Sequence, residues 1–200
     1  ASVSISNNNF QGFVNNVTAS SLIQYINLVH APSGPSTDNI NNNTFTNLTA
    51  NTTGNVTFIN RTGAMALNAG HTENCNLNRI VTAFSKPAGT NPLAFYTGIS
   101  GSLGGNFMNQ QNNDFSNITV SGGIITGWNN TEGGVTSPQK NISNNTFTNI
   151  TYTGVSNVTI LSVDRASGNS VIDFNHIENI DGGNGLLRCL SFGTSVAATS

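Results

Sequence analysis

One pattern of apolar and polar positions recurs along the chain. The decapeptide INNNTFTNLT fills residues 40–49, and ISNNTFTNIT fills residues 142–151. In both copies an apolar residue stands five positions before a central Phe, and another stands three positions after it. No window keeps apolar residues at the 3.6-residue spacing of an amphipathic helix, so the pattern predicts short strands joined by turns.

The same frame occurs six times, each copy centred on an apolar anchor residue. Successive anchors are separated by 35, 35, 35, 32 and 30 residues. Asn stands two positions before every anchor, and an apolar residue stands three positions after every anchor. The anchors are Phe10, Phe45, Ile80, Phe115, Phe147 and Ile177, and the Asn residues are Asn8, Asn43, Asn78, Asn113, Asn145 and Asn175.

A repeat of this length is typical of a solenoid, a propeller or an array. Helical repeats are excluded because Gly, Thr and Asn are poor helix formers, and a propeller blade needs about 40 residues or more. In a parallel β-helix, equivalent positions on successive coils stack about 4.8 Å apart. The anchors are then predicted to form an interior stack. The Asn residues are predicted to form a hydrogen-bonded ladder and to adopt the left-handed turn at the corner.

A second strand is predicted after each anchor. The segments are SLIQYINLV, NVTFINRT, PLAFYTGIS, GGIITGW, NVTILSV and GLLRCLSF. The stretches between them are rich in Gly, Pro and Asn and differ in length, as expected of loops that leave the solenoid.

The frame I-x-N-N-x-F-x-N-I, followed by a Gly-rich turn and another strand, resembles the right-handed parallel β-helix of pectate lyase-like proteins. The resemblance covers roughly residues 3–193. It implies an all-β, single-domain solenoid over residues 1–200, with about six coils of 30–35 residues and an Asn ladder. Neither end shows an obvious cap, so we expect a segment of a longer chain or an end-to-end stack of coils.

Composition narrows the range of partners. Charged residues make up 7% of the chain, against a usual share of about 25%, and the net charge is −2. The chain has no basic run and no apolar stretch of about 18 residues, so we expect neither nucleic acid binding nor membrane insertion. Low charge and a regular repeat favour a secreted or cell-surface protein.

The best candidate for chemistry is a pair of carboxylates. Asp38 and Glu73 both stand seven positions before their anchors, which places them side by side on adjacent coils, with His71 nearby. Like charges about 5 Å apart are unfavourable unless a proton, a cation or a substrate intervenes, and that separation suits a retaining glycosidase. Asp38, Glu73 and His71 are therefore the candidate catalytic residues, or Asp38 and Glu73 could hold Ca²⁺. The alternative is that both carboxylates point into water.

Other residues admit plain structural interpretations. Arg79 and Asp114 share a column on neighbouring coils, which predicts a cross-strand ion pair. Cys75 and Cys189 match no metal-site spacing and are expected to be buried free thiols. Trp128 is expected to pack in the core, with a sugar-stacking platform as the alternative. No cofactor is expected otherwise.

Twelve Asn residues begin an N-x-S/T sequon. Four of them lie outside the corner frame and are the first candidates for glycosylation if the protein is secreted. They are Asn55, Asn60, Asn129 and Asn157.

Two functions stay open. The catalytic motifs of galacturonase-like and pectate lyase-like proteins are missing, which favours a non-catalytic fibre, stalk or adhesin-like segment that associates with itself by coil stacking. The alternative is a polysaccharide lyase, a glycoside hydrolase or a tailspike-like segment that uses Asp38 and Glu73. Either could contact a polysaccharide in a groove beside the second strand.

Overall fold

The computed structural model describes residues 1–16, 19–63, 70–87, 89–98, 105–132, 138–166 and 169–194. All regular secondary structure in these ranges is β-strand. In chain order the strands are β1 Val3–Ser4, β2 Asn9–Gln11, β3 Val14–Asn15, β4 Ile23–Leu28, β5 Ser36–Asn39, β6 Thr44–Thr46, β7 Thr49–Ala50, β8 Val56–Arg61, β9 His71–Asn74, β10 Arg79–Ile80, β11 Phe84–Lys86, β12 Leu93–Thr97, β13 Phe107–Gln111, β14 Ile118–Val120, β15 Ile125–Asn130, β16 Gln139–Ser143, β17 Thr146–Tyr152, β18 Val158–Ala166, β19 Val171–Asp173, β20 His176–Asp181 and β21 Leu187–Thr194.

The strands stack into parallel sheets that run along the solenoid. Sheet 1 contains β1, β5, β9, β13, β16 and β19, which precede the Asn corner. Sheet 2 contains β3, β7, β11, β14, β17 and β20, and the anchor strands β2, β6 and β10 form a three-stranded extension beside it. Sheet 3 contains β4, β8, β12, β15, β18 and β21. The predicted parallel β-helix is confirmed.

The register follows the repeat. Phe10 pairs with Phe45, Phe45 pairs with Ile80, and Phe147 pairs with Ile177, each on parallel neighbouring strands. Six strands stacked in a sheet are separated by five intervals, so the chain makes about five turns rather than the expected six coils.

The Asn ladder is continuous along the corner. From Asn8 to Asn145, the side-chain Nδ2 of each ladder Asn donates to the Oδ1 of the next one. The backbone N–H of the same Asn donates to that Oδ1 as well. From Asn43 onward, Nδ2 also donates to a backbone carbonyl of the coil before it. The Nδ2···Oδ1 distances are 2.9, 2.9, 3.0, 2.9 and 2.9 Å along Asn8, Asn43, Asn78, Asn113, Asn145 and Asn175. Buried polar groups are thereby satisfied.

The left-handed turn lies one residue before the ladder, not at the ladder residues as expected. The amide of a ladder Asn bonds along the stack and to a backbone carbonyl of the coil before it, and the residue in front of it takes the left-handed conformation that turns the corner. The φ angles there are 61, 55, 60, 57, 57 and 51° at Asn7, Asn42, Leu77, Asn112, Asn144 and Phe174. Leucine and phenylalanine are unusual in this conformation.

The core combines anchor residues with rings from sheet 3. Phe10 stacks on Phe45 at 5.2 Å between ring centroids, as expected for neighbouring anchors. Phe95 of sheet 3 stacks on the anchors Phe115 and Phe147 at 5.5 and 5.9 Å. The interior is therefore an interleaved cluster of rings from two faces rather than a single column of anchors.

The structure also tests the predictions for Trp128, for the Arg79–Asp114 ion pair and for the two cysteines. Trp128 packs in the core, fully buried against Tyr96 with ring centroids 4.9 Å apart, so it cannot serve as a sugar platform. The Arg79–Asp114 ion pair is wrong: the backbones of these two described residues bridge, but the Asp114 carboxylate accepts from the Ser116 hydroxyl at 2.5 Å instead. Cys75 and Cys189 are both free thiols, but only Cys75 is buried.

Candidate functional site

Two columns of residues face each other across the interior corner between sheets 3 and 1. The sheet 1 column is Asp38, Glu73, Met108 and Lys140, which pair in register on successive strands. The sheet 3 column contains Arg61 at the end of β8 and Asn130 at the end of β15. Asp38, Glu73, Lys140, Arg61 and Asn130 are at most 1% exposed. We call the side chains gathered here the buried polar cluster.

The two predicted carboxylates are adjacent, but they do not face water. Arg61 contacts both of them, with Nη1 3.3 Å from Asp38 Oδ2 and Nε 2.9 Å from Glu73 Oε2. The second contact is electrostatic only, because neither atom makes a hydrogen bond of good geometry. His30 Nδ1 lies 2.8 Å from Asp38 Oδ1. The guanidinium is thus the cation that allows two like charges to share this site.

His71, the third predicted residue, joins the same cluster. Its Nδ1 lies 2.8 Å from the Ser36 hydroxyl, and its Nε2 lies 3.6 Å from Asp38 Oδ2. Desolvation lowers the pKa of His71 to about 4, and the nearby Arg61 also lowers it, while Asp38 opposes the shift. The imidazole is therefore neutral near pH 7.

A phenol connects two carboxyl groups in the middle of the cluster. Tyr96 Oη lies 2.9 Å from Glu73 Oε1 and makes a shorter contact to Glu132 Oε1. Burial and, to a smaller extent, the charge of Glu73 raise the pKa of Glu132 to about 7. Lys140 and the hydrogen bond from Tyr96 oppose this shift of the pKa. One phenol proton cannot serve both carboxylates at once. With a pKa of about 7, the Glu132 carboxyl exchanges between its protonated and ionised forms near neutral pH. Gly98 makes room for Glu132, because a Cβ there would collide with its carboxylate.

The far end of the cluster is an amine–amide chain. Lys140 Nζ donates to Asn130 Oδ1 at 2.6 Å, and Asn130 Nδ2 donates to Gln110 Oε1 at 2.8 Å. Trp128 Nε1 donates to the same Gln110 oxygen at 2.8 Å. Gln110 Nε2 in turn donates to Glu73 Oε1 at 3.3 Å, which joins the two ends.

The sequence located one side of the cluster and missed the other. The column alignment predicts Asp38 beside Glu73, and the position of His71 two residues before Glu73 places it nearby. The signal for Gln110 was also visible, since it replaces Ile or Cys in a column that is otherwise apolar. Residues missed by sequence reasoning come from sheet 3 or the loop after it, where variable loop lengths break the alignment. They are His30, Arg61, Tyr96, Asn130 and Glu132.

A second candidate site is a groove on the outward face of sheet 3, which we call the outer groove. Its centre has a volume of about 270 Å³, and a continuation of about 130 Å³ shares Thr126 and Asn129 with it. Among the described residues that line it, none carries a charge. They include Gln24, Asn55, Thr57, Asn60, Thr97, Thr126, Asn129, Asn157, Thr159 and Ser162.

The four sequons chosen from the sequence all line this outer groove. Asn55 and Asn157 are exposed, and Asn129 is half-buried. Asn60 is only 7% exposed, and its Nδ2 donates to Asn27 Oδ1 at 3.1 Å. Asn55 and Asn157 therefore offer the most accessible amides for glycan attachment, which stays a prediction.

The described residues contain neither a metal-binding cluster nor a membrane-spanning helix. Within the described ranges, no group of three or more His, Cys, Asp and Glu side chains could hold a metal ion, and the suggestion of Ca²⁺ at Asp38 and Glu73 stays a prediction. No helix in the same ranges has the length and apolarity to cross a membrane.

Comparison with known proteins gave no match. This holds for protein-family models, for curated proteins and for solved structures. The function is therefore inferred from the geometry of the chain itself.

Proposed function

We propose that this chain is a rigid, non-catalytic β-helical segment of a secreted or cell-surface protein, adhesin-like in character, which contacts neutral glycans through the outer groove. The observation that carries the proposal is the placement of Asp38 and Glu73. Both are fully buried and both contact Arg61, so the strongest acid–base candidates of the chain serve the interior.

Access to substrate is the first support. A general acid or base must come within hydrogen-bond reach of the group it protonates or deprotonates. A glycosidic bond would have to enter the solenoid interior to reach the carboxyl groups of Asp38 and Glu73. A lyase, hydrolase or tailspike-like activity at these two residues would require the corner between sheets 1 and 3 to open.

The chemistry of the outer groove is the second support. Asn60 pairs with Thr97, and Thr97 pairs with Asn129, so a row of amides and hydroxyls crosses the sheet. Amides and hydroxyls both donate and accept hydrogen bonds, as sugar hydroxyls do. Parallel strands repeat these groups about every 4.8 Å, which gives an extended neutral ligand equivalent contacts on successive coils.

The test is retention of the purified chain on immobilised neutral and acidic polysaccharides. We expect retention on a neutral polysaccharide that falls several-fold in Asn129→Ala. The matched control is Asn109→Ala, because Asn109 is also half-buried and lies on an outward face, but on sheet 1. Equal loss in both variants, or no retention at all, would refute binding in the groove.

The same samples test the alternative. Overnight incubation should leave the polysaccharide at its original size in size-exclusion chromatography. Shortening that disappears in an Asp38→Asn, Glu73→Gln double variant would establish catalysis and overturn the structural proposal.

A further inference from the structure

Lys140 and Asn130 meet inside the solenoid at a distance suited to reaction. Both side chains are fully buried, and Nζ lies 2.6 Å from Oδ1. A carbonyl bond is about 1.23 Å long, so the amine nitrogen is no more than about 3.8 Å from the amide carbon Cγ. Reacting atoms held about 3–3.5 Å apart are close to an attack geometry.

The orientation of the Asn130 amide follows from the hydrogen bonds that Trp128 and Asn130 make to Gln110. The Trp128 indole N–H only donates, so the atom it contacts on Gln110 is the oxygen. That oxygen must receive the Asn130 contact from Nδ2, which turns Oδ1 and Cγ toward the amine of Lys140. The nucleophile therefore faces the carbonyl of the amide, and the leaving nitrogen faces away.

A carboxyl group that interacts electrostatically with Lys140 stands two residues after Asn130: the charge of Lys140 lowers the pKa of Glu132, against the effect of burial. Glu132 is fully buried, and its Oε2 has no hydrogen-bond partner. Burial raises the pKa of this carboxyl to about 7, which lets it both accept and release a proton near neutral pH. In a dry interior a neutral amine and a neutral carboxylic acid cost less than two separated charges.

We propose that Lys140 and Asn130 form an intramolecular isopeptide bond, with Glu132 carrying the proton. The amine first gives a proton to the Glu132 carboxylate. After rotation about the Cε–Nζ bond, the Nζ lone pair attacks Cγ of Asn130. The Cγ–Nδ2 bond then breaks, and Nδ2 takes the proton returned by Glu132 together with the one Nζ loses, leaving as an ammonium ion while Glu132 returns to the carboxylate. No electrons are exchanged and no co-reactant is consumed.

The bond would join sheet 3 to sheet 1 on the inside of the corner. Asn130 ends β15 and Lys140 lies in β16, so the link closes the loop between these two strands. It is independent of glycan contact in the outer groove, since the reacting groups lie on the inward faces.

Mass spectrometry of the full chain under denaturing conditions tests the proposal. We expect a mass lower than that of the sequence by one ammonia, about 17 Da. We also expect trypsin to leave the bond after Lys140 uncut, because an acylated lysine no longer fits the protease. A succinimide at Asn130 would give the same mass but leave Lys140 open to trypsin.

Variants assign the reacting groups. Asn130→Ala and Glu132→Gln should both restore the full mass of their sequences, and trypsin should cut after Lys140 in both. Lys86→Arg should keep the loss of ammonia, because Lys86 is the other lysine of the chain. The full sequence mass in the unaltered chain, or a lost ammonia with Lys140 cut, would overturn the proposal. A loss retained in Glu132→Gln would overturn the role of Glu132.

Discussion

Asp38 and Glu73 are direct partners in register on β5 and β9, and the guanidinium of Arg61 contacts both carboxylates from the facing sheet. All three side chains are fully buried or nearly so. Two buried carboxylates on neighbouring strands repel each other strongly unless a cation lies between them. The stability of the corner therefore depends on one arginine.

Replacement of Arg61 should expose that dependence. We expect Arg61→Met to lower the free energy of unfolding by about 3–5 kcal/mol, because it leaves uncompensated charges in the interior. Denaturant unfolding measures the loss. Arg79→Met is the matched control, since Arg79 is exposed, and it should change stability by about 0.5 kcal/mol or less. A rescue of Arg61→Met by Asp38→Asn with Glu73→Gln would identify charge as the cause, whereas no rescue would point to lost packing.

The raised pKa of Glu132 predicts a pH dependence of stability. Its carboxyl titrates at about 7 in the folded chain, against 4.5 for the ordinary group, so the folded state binds more protons between these values. The contribution of Glu132 to stability is thus full below about pH 4.5 and is lost as pH rises toward 7. As pH rises over this range, the unaltered chain should lose stability relative to Glu132→Gln. The difference in their free energies of unfolding should shift toward the variant by up to about 3 kcal/mol.

Unfolding curves at a series of pH values measure this change. The slope of the difference with pH is the test, because a constant offset could come from any other effect of the substitution. Glu178→Gln serves as control, since the Glu178 side chain is 59% exposed. If the difference in unfolding free energy between Glu132→Gln and the unaltered chain does not change with pH, the pKa of Glu132 is not raised in the folded chain.

Leu77 offers a stabilising substitution. It has a φ of 60° and is 52% exposed, so it carries the cost of a left-handed backbone without filling the core. Asn tolerates this conformation, and we expect Leu77→Asn to raise the unfolding free energy by about 1 kcal/mol. Val81→Asn is the control, because Val81 is similarly exposed, at 51%, without a positive φ. Equal effects of the two substitutions would rule out backbone strain as the cause.

Interrupting the buried Asn ladder should cost more stability than interrupting a stack of amides on the outward face. Asn78→Ala removes the acceptor used by the backbone and side chain of Asn43, and we expect a loss of about 2 kcal/mol or more. Asn74 also belongs to a stack of amides, with Nδ2 2.9 Å from Asn39 Oδ1, but it lies on the outward face. Asn74→Ala should cost about 1 kcal/mol or less, because water replaces the lost bonds. Similar losses for the two variants in thermal or denaturant unfolding would show that burial does not determine how much each amide contributes to stability.

The corner of the solenoid can be predicted from the sequence alone. Every coil uses the same corner, so the Asn and anchor residues recur at nearly constant spacing, and their columns can be aligned without coordinates. That alignment also placed Asp38 beside Glu73, because both lie on the strand entering the corner. It misplaced the left-handed residue by one position, since a column shows which residues stack but not where a side chain points.

The residues that face this column are known only from the folded chain. Loops of different length separate the corner from sheet 3, so the alignment does not carry over to Arg61, Asn130 and Glu132. The structure turns their side chains inward against sheet 1 and converts a suspected catalytic pair into a buried, charge-compensated cluster. The physical reason is that stacking repeats a local pattern from coil to coil, whereas contact across the interior depends on how each loop closes its own coil.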